Sequence, residues 1–301
     1  MTFVCRPTAM TLSTAAPHTI SDETVLLVGG DLCHHALPLI AQHTPHYVHL
    51  RRSAPDPTES HRVQADVTDP ASLLALPAHI DRILYAITPD DSNEAGYRKV
   101  FIEGVANLLD ALKQRQGLQT LKRFVFVSST AVYGGSSDWV DEHTPEQPER
   151  FNGQVLLAAE QALRSELGSK AVAIRPSGLY GPGRSHLLNR LREGKVQIAE
   201  TPLHWANRLH LQDAARACVH LLYLDQPQGV YIATDDTPMP LGTLYDGLAD
   251  LLGVAHPPRT GAPLNMASKK LRATRLKASG FTLQWPDTLK GYAELIQTGQ
   301  I

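Results

Sequence analysis

The stretch KRFVFVSSTAVYG, Lys122 to Gly134, joins an apolar run to a cluster of hydroxyls. Phe124 to Val127, aromatic and β-branched by turns, reads as a buried parallel strand, because a strand covered on both faces has no polar side to alternate with. Its C-terminal end would deliver Ser128, Ser129 and Thr130 into a crevice. Ligands in open α/β sheets bind at that edge, so the run that decides the fold also nominates the site.

Strand-like runs recur at Thr24 to Val28, Tyr47 to Leu50, Val63 to Ala65, Arg82 to Ile87 and Ala171 to Ile174, with helical patterns between them. That alternation predicts a parallel sheet wound with helices. The clearest helix covers 94–114, where Tyr97, Phe101, Val105, Leu108, Leu109 and Leu112 share one face at helical spacing. After Pro176 the elements shorten and Gly and Pro accumulate, in GLYGPG at 178–183 and in the turn at 226–229, interrupted by a helix from Leu211 to Leu224. The expected fold is α/β: a Rossmann-type doubly wound parallel sheet over 22–176, with a smaller C-terminal α/β substrate lobe over 177–301 interleaved with it. Residues 1–21 read as a flexible tail.

With 301 residues, 43% hydrophobic and 19% charged, the chain can bury a large core. A formal charge of -2 with scattered basic residues argues against nucleic acid and anionic membranes as partners and favours a small-molecule substrate. Three cysteines, Cys5, Cys33 and Cys218, form no CxxC pair, which suits a reducing compartment and neither disulfides nor structural zinc. No run approaches the roughly 20 apolar residues of a membrane span, and the first twenty residues lack the apolar core of a secretory signal. A cytoplasmic location is expected.

The turn after the first strand reads Val28-Gly29-Gly30-Asp31-Leu32-Cys33, where a dinucleotide fold would show G-x-G-x-x-G. Only Gly30 holds its register. A glycine there lets backbone N–H groups approach a pyrophosphate resting on the positive end of the next helix, and Gly29 can supply the tight turn. A plain strand-to-helix turn without ligand remains open. The second strand ends in Arg51-Arg52 rather than an acidic residue; an arginine pairs with a 2′-phosphate, which points to NADP, with NAD less favoured, against the alternative of solvated charges at a strand end. Asp66 is placed to meet an adenine, and Asp69 to cap a helix. The predicted cofactor-binding set is Gly29, Gly30, Asp31, Leu32, Arg51, Arg52, Asp66, Val67, Ser128 and Pro176.

Four motifs carry a resemblance: VSSTAVYG at 127–134, GVANLLDAL at 104–112, IRPSGLYGPGR at 174–184 and NRLHLQDAARA at 207–217. With these, the chain from about Thr24 to Tyr292 resembles the extended short-chain dehydrogenase/reductases, the NAD-dependent epimerase/dehydratase group, and looks closest to its atypical bacterial branch. The resemblance implies a tyrosine that moves the proton at the substrate hydroxyl, a lysine four residues later that lowers its pKa, and a serine that holds the oxygen, while hydride passes to or from a nicotinamide. Aligned by its Ala-Glu pair, FNGQVLLAAEQAL places Asn152 at the tyrosine position and Leu156 at the lysine position, and Phe101 falls where the family often carries asparagine. Phe151 and Gly153, one residue to either side, are no better proton carriers. Of that set Ser129 alone survives. The resemblance also suggests a homodimer through helices near 94–114 and 152–167.

Ser129 is therefore the expected catalytic group, with Tyr180 of the LYG motif as a second phenol at the crevice; Tyr133 of the VYG motif more often packs. The resemblance places substrate contacts in the polar and aromatic cluster before the Leu211 helix, so Thr130, His204, Trp205 and Arg208 are the expected contacts, although His210 and Asp213 nearby serve equally well as hydrogen bonds that hold the small lobe to the sheet. His34 and His35 point in different directions on a helix and have no partner at metal-like spacing, so no metal is expected. Three functions fit: an NADP-using oxidoreductase or epimerase-like enzyme with a degenerate site, a catalytically inactive sensor of NADP(H) or a metabolite, or a structural scaffold with no nucleotide, which draws on Val28 and Cys33 in the glycine turn.

Overall fold

Strands built from Val, Leu, Ile, Phe and Tyr on both faces can be buried only between two layers of helix, and that is the arrangement found. A computed structural model describes residues 20–55, 59–136, 138–199, 201–263 and 267–301. Cys5 and the tail up to residue 19 lie outside the described residues; Ser21, at the end of the expected tail, donates its N–H to the His43 carbonyl at 2.8 Å.

The central sheet has seven strands: β1 (Val25–Gly29), β2 (Tyr47–Arg51), β3 (Arg62–Gln64), β4 (Arg82–Ala86), β5 (Arg123–Val127), β6 (Ala171–Pro176) and β7 (Val230–Ala233). Their order is β7-β6-β5-β4-β1-β2-β3. Every pairing is parallel, with Leu84 beside Val125 and Val125 beside Val172 in mid-sheet. The chain reverses direction across the sheet between β1 and β4, where doubly wound folds open their crevice.

Residues of one strand serve alternate faces. Phe124 and Phe126 of β5 join the core beneath α3 (Gly104–Lys113) and α4 (Phe151–Leu167), with Leu108, Leu112, Leu156 and Leu163. Val125 joins the opposite core, under α1 (Asp31–Ile40) and α5 (Leu211–Tyr223), with Cys33, Ala36, Ala215 and Cys218. The helix expected over 94–114 is broken in its middle: α2 (Glu94–Arg98), a π-helical turn at Lys99–Glu103 and then α3. Phe101 sits in the wide turn and is buried.

Beyond Pro176 the chain does not stay in its own lobe. α5 packs on α1, and β7 pairs with β6 as the last strand of the main sheet. Tyr231, Ile232 and Ala233 are buried there, so β7 is a strand that the Gly- and Pro-rich texture of the surrounding sequence conceals. The small lobe is left with α6 (Leu241–Leu252), α7 (Thr288–Gln297) and a helix at His186–Arg192 around Tyr180, Leu188, Leu191, Leu244, Leu248, Tyr292 and Leu295. No described helix is long and apolar enough to cross a membrane.

Candidate functional site

Gly29 turns at φ +138°, and a Cβ there would lie 2.1 Å from the Ala86 carbonyl oxygen, so β1 can approach the end of β4 this closely only with glycine. His49 of β2 fixes the same turn: its Nε2–H donates to the Gly29 carbonyl at 2.8 Å. Burial holds the His49 pKa below its usual value, which keeps the ring neutral and the tautomer a donor. Gly30 caps α1 with no side-chain hydrogen bond, so the N–H groups of the first turn carry no side-chain oxygen there. A Cβ on Gly30 would meet the Arg51 guanidinium at 3.4 Å, which places that cation directly over the glycine turn.

Around this turn opens a cleft of about 720 Å³ lined by Gly29, Gly30, Asp31, Arg51, Arg52, Asp66 and Val67 from the expected set. Arg52 reaches across it to pair with both carboxylate oxygens of Asp90, and Arg184 of the small lobe donates to Asp31 Oδ2 at 2.7 Å. Asp66 Oδ1 accepts from the Thr68 N–H and hydroxyl at 2.8 and 2.9 Å, so one of its oxygens is held by its own turn. Contrary to expectation, Asp69 does not cap a helix: it accepts from the Ala71 N–H at 3.1 Å and so closes a turn on itself, while the short helix Ser72–Ala75 that follows has Ala71 at its cap and no side-chain cap. Leu32 departs from expectation: its side chain is buried in the core under α1 and does not line the cleft. The loop after β4, with Ile87, Thr88 and Asp90, completes the wall. These residues were not among those expected, since no motif marks the loop; the signal that could have found it is its position at the C-terminal end of a strand beside the chain reversal.

The hydroxyl cluster stands at the ends of β5 and β6. Ser128 donates its N–H to the Ile174 carbonyl at 2.8 Å, which carries the β5–β6 register one step past Val127 and Ile174 and sets Ser128 opposite Arg175, the residue before Pro176. Ser129 Oγ accepts from the Ala131 N–H at 3.1 Å and keeps its proton for another partner. Thr130, half-buried, opens the short 3₁₀ turn that Ser129 caps. The start of α4 presses on this turn: a Cβ on Gly153 would fall 2.2 Å from the Ala131 carbonyl oxygen. Asn152, the residue before it, has a buried side-chain oxygen without a partner, and Ser128 Oγ is buried and unpartnered too. Buried polar atoms of this kind ask for a ligand or water.

What holds α4 in place is a buried ion cluster. Arg175 of β6, 1% exposed, donates through Nε and Nη2 to Glu160 of α4, through Nη2 to Glu146 at 2.9 Å, and through Nη1 to the Tyr133 hydroxyl at 2.6 Å. Burial drives the Tyr133 phenol up to about 12, so this tyrosine packs and pairs rather than moving protons. One turn along α4, Leu156 is 4% exposed and belongs to the core.

On the small-lobe side the expectation for Tyr180 is corrected. It is 1% exposed, stacked on Tyr292 at 4.4 Å between ring centroids, with Gly291 left bare to admit its hydroxyl, and burial raises its pKa far above the usual phenol range. It fills the small-lobe core and does not face the crevice. His210 and Asp213 are structural: His210 Nδ1 caps α5 by accepting from the Gln212 N–H at 3.3 Å, and Asp213 accepts from the Gln284 and Trp285 N–H groups. His204, Trp205 and Arg208 are half-buried near one another. Burial, then Lys269 and Arg208, hold the His204 pKa below its ordinary value. Lys269 was not among the expected residues; it is buried, donates to the Tyr133 carbonyl at 2.7 Å, and burial lowers its pKa to about 8. It joins the small lobe to the end of the serine turn.

The model of the NAD dependent epimerase/dehydratase family matches residues 27–233, which run from the first strand through β7. The chain belongs to that family. Protein YeeZ of Escherichia coli (strain K12) is 32% identical over 193 residues, 63% of this chain and 66% of YeeZ, so the match spans just under two thirds of that relative. A solved structure described as an NAD-dependent epimerase/dehydratase of Methylobacillus flagellatus is 32% identical, with a TM-score of 0.72 over 93% of this chain and 99% of its own. The UDP-glucose 4-epimerase of Thermus thermophilus, solved in complex with NAD, shares the fold at 19% identity, with a TM-score of 0.70 over 91% of this chain and 99% of its own. A dinucleotide of the family's kind fits what is found: a turn open to phosphate at Gly29 and Gly30, a cation over it, and unpartnered oxygens on Ser128 and Asn152 beyond.

Proposed function

We propose that this epimerase/dehydratase-family protein binds NADP(H) in preference to NAD(H) and acts through it on a small hydroxylated or sugar-like substrate between the two lobes. The observation that carries the reading is Arg51, whose guanidinium lies 3.4 Å from the position of a Cβ on Gly30 at the end of β2. A guanidinium there pairs with a ribose 2′-phosphate in two hydrogen bonds, whereas an unphosphorylated ribose gives it nothing of opposite charge. The UDP-glucose 4-epimerase that shares this fold is the reason to look first among sugar nucleotides for the substrate.

A bound nicotinamide would supply hydride transfer. Ser129 would hold the reacting oxygen through its free proton, and Asn152 would orient the neighbouring hydroxyl through its unpartnered oxygen. Neither side chain takes up a proton near neutral pH. His204, kept neutral by burial, can accept one, and Lys269, whose pKa burial lowers to about 8, can release one. Losing a positioned acid/base pair typically lowers the rate by roughly 10²- to 10⁴-fold, so turnover slower than in relatives with the tyrosine and lysine follows. A second reading, a catalytically inactive sensor of NADP(H) or a metabolite, draws on Leu156: an aliphatic core residue occupies the position where the resemblance implies a lysine.

Titration of intrinsic fluorescence with NADPH and NADH tests the cofactor reading. The wild-type protein should bind NADPH more tightly, and Arg51→Ala should weaken NADPH binding by about 10- to 100-fold, the equivalent of a lost charge-assisted hydrogen bond, while leaving NADH nearly unchanged. Equal affinities that the substitution does not alter would refute it. A panel of sugar nucleotides with Ser129→Ala as control separates enzyme from sensor: turnover abolished by that change supports the first, and absence of turnover with any member supports the second.

A further inference from the structure

Asp31 puts a carboxylate on the first turn of α1, at the lip of the cleft where a dinucleotide's diphosphate would rest. The positive end of the helix attracts a diphosphate, but a carboxylate at the same end repels it at short range. Arg184 answers that charge from the other lobe. Its Nη2 donates to Asp31 Oδ2 at 2.7 Å across 153 positions of sequence. The loop that presents it is held at both ends: Gly181 turns at φ +149° against Leu211, Gly183 donates its N–H to the Gln300 carbonyl, and Arg184 donates its own to the Gly181 carbonyl. His35 also approaches Asp31, at 3.7 Å, but burial keeps its pKa below the ordinary value, so near neutral pH Arg184 is the group that carries the positive charge there.

We propose that Arg184 is a positioning residue of the dinucleotide site, supplied by the small lobe. By pairing with Asp31 it cancels the repulsion that the carboxylate would exert on the diphosphate, and it makes tight dinucleotide binding depend on the small lobe being docked against α1. This rests on the proposed dinucleotide function. Both partners are partly exposed, 38% for Arg184 and 53% for Asp31, and a surface ion pair by itself stabilises a fold very little. The pair's effect therefore belongs in ligand affinity rather than in folding stability.

A double-mutant cycle read by NADPH titration tests this. Arg184→Ala should weaken NADPH binding by roughly 3- to 30-fold, the range expected for a charge at a helix end, with a melting temperature close to wild type. Asp31→Asn should bind as well as wild type or better, and Arg184→Ala combined with Asp31→Asn should recover affinity to within a few-fold of wild type. Raised salt should narrow the difference between wild type and Arg184→Ala. An Arg184→Ala protein that binds NADPH like wild type overturns the inference, as does a double variant that stays as weak as Arg184→Ala. Either result leaves the dinucleotide function standing. A folded wild-type protein that binds no pyridine dinucleotide overturns that function and this inference together.

Discussion

At the scale of single residues, the site is defined as much by what surrounds each group as by its identity. Ser129 and Asn152 sit at the serine turn because Arg175 and Glu160 lock α4 to β6 behind them. Removing one partner of a buried ion pair leaves an uncompensated charge, so Glu160→Ala should lower stability by about 3–5 kcal/mol in urea denaturation, with Glu146 the remaining carboxylate on Arg175. A change below about 1 kcal/mol, the size of an exposed pair, would mean that the cluster does not hold the helix. Tyr133 and Tyr180 show why a motif alone misleads: one phenol follows the serine turn and the other ends the short strand Gly178–Tyr180, yet the first is tied to Arg175 and the second is enclosed by Tyr292 and Gly291. A motif conveys residue type and approximate place, whereas side-chain direction depends on partners far along the chain.

At the scale of elements, the approach of α4 to the serine turn depends on the missing side chain of Gly153. A methyl group there would stand 2.2 Å from the Ala131 carbonyl oxygen, a backbone atom that cannot rotate away. Gly153→Ala should therefore cost about 1–3 kcal/mol through overpacking and weaken NADPH binding by displacing Ser129; unchanged melting and affinity would refute the close fit. The strands of the sheet were legible because burial on both faces leaves nearly unbroken apolar runs, and β5, Arg123–Val127, covers the expected run Phe124 to Val127. β7 was not, because its pairing with β6 spans more than fifty residues and its own run is short. The π-helical turn at Lys99–Glu103 was hidden for a related reason: the apolar stripe reads as one regular helix, and the extra residue in that turn leaves no mark on composition. At the site, Arg51 and the glycine pair could be read from their position at strand ends. Arg184, His49 and Lys269 could not, since each acts through a contact with a distant part of the chain.

In the whole molecule, the C-terminal part of the chain meets the N-terminal part in two separate places: Arg184 on Asp31 at the lip of the cleft, and Lys269 on the Tyr133 carbonyl past the serine turn. Burial lowers the Lys269 pKa to about 8 from 10.5, so between those values the unfolded chain binds more protons than the folded one. Stability contributed at this position therefore rises as pH increases from about 8 to 10.5, and is flat below that window. Lys269→Met removes the titrating group, and the difference in unfolding free energy between wild type and variant should change across that window and stay constant from about pH 6 to 7.5. A constant difference throughout would show that the amine titrates as if in water. The chain as a whole joins a family fold, an arginine over its glycine turn, and a serine edge at which asparagine and leucine occupy the positions where the resemblance implies a tyrosine and a lysine. The proposed function requires that the cleft still take a pyridine dinucleotide. Isothermal calorimetry of the folded full chain tests this most directly: NADPH should bind with measurable heat at one site per chain and more tightly than NADH, and absence of heat with both NADPH and NADH would contradict it.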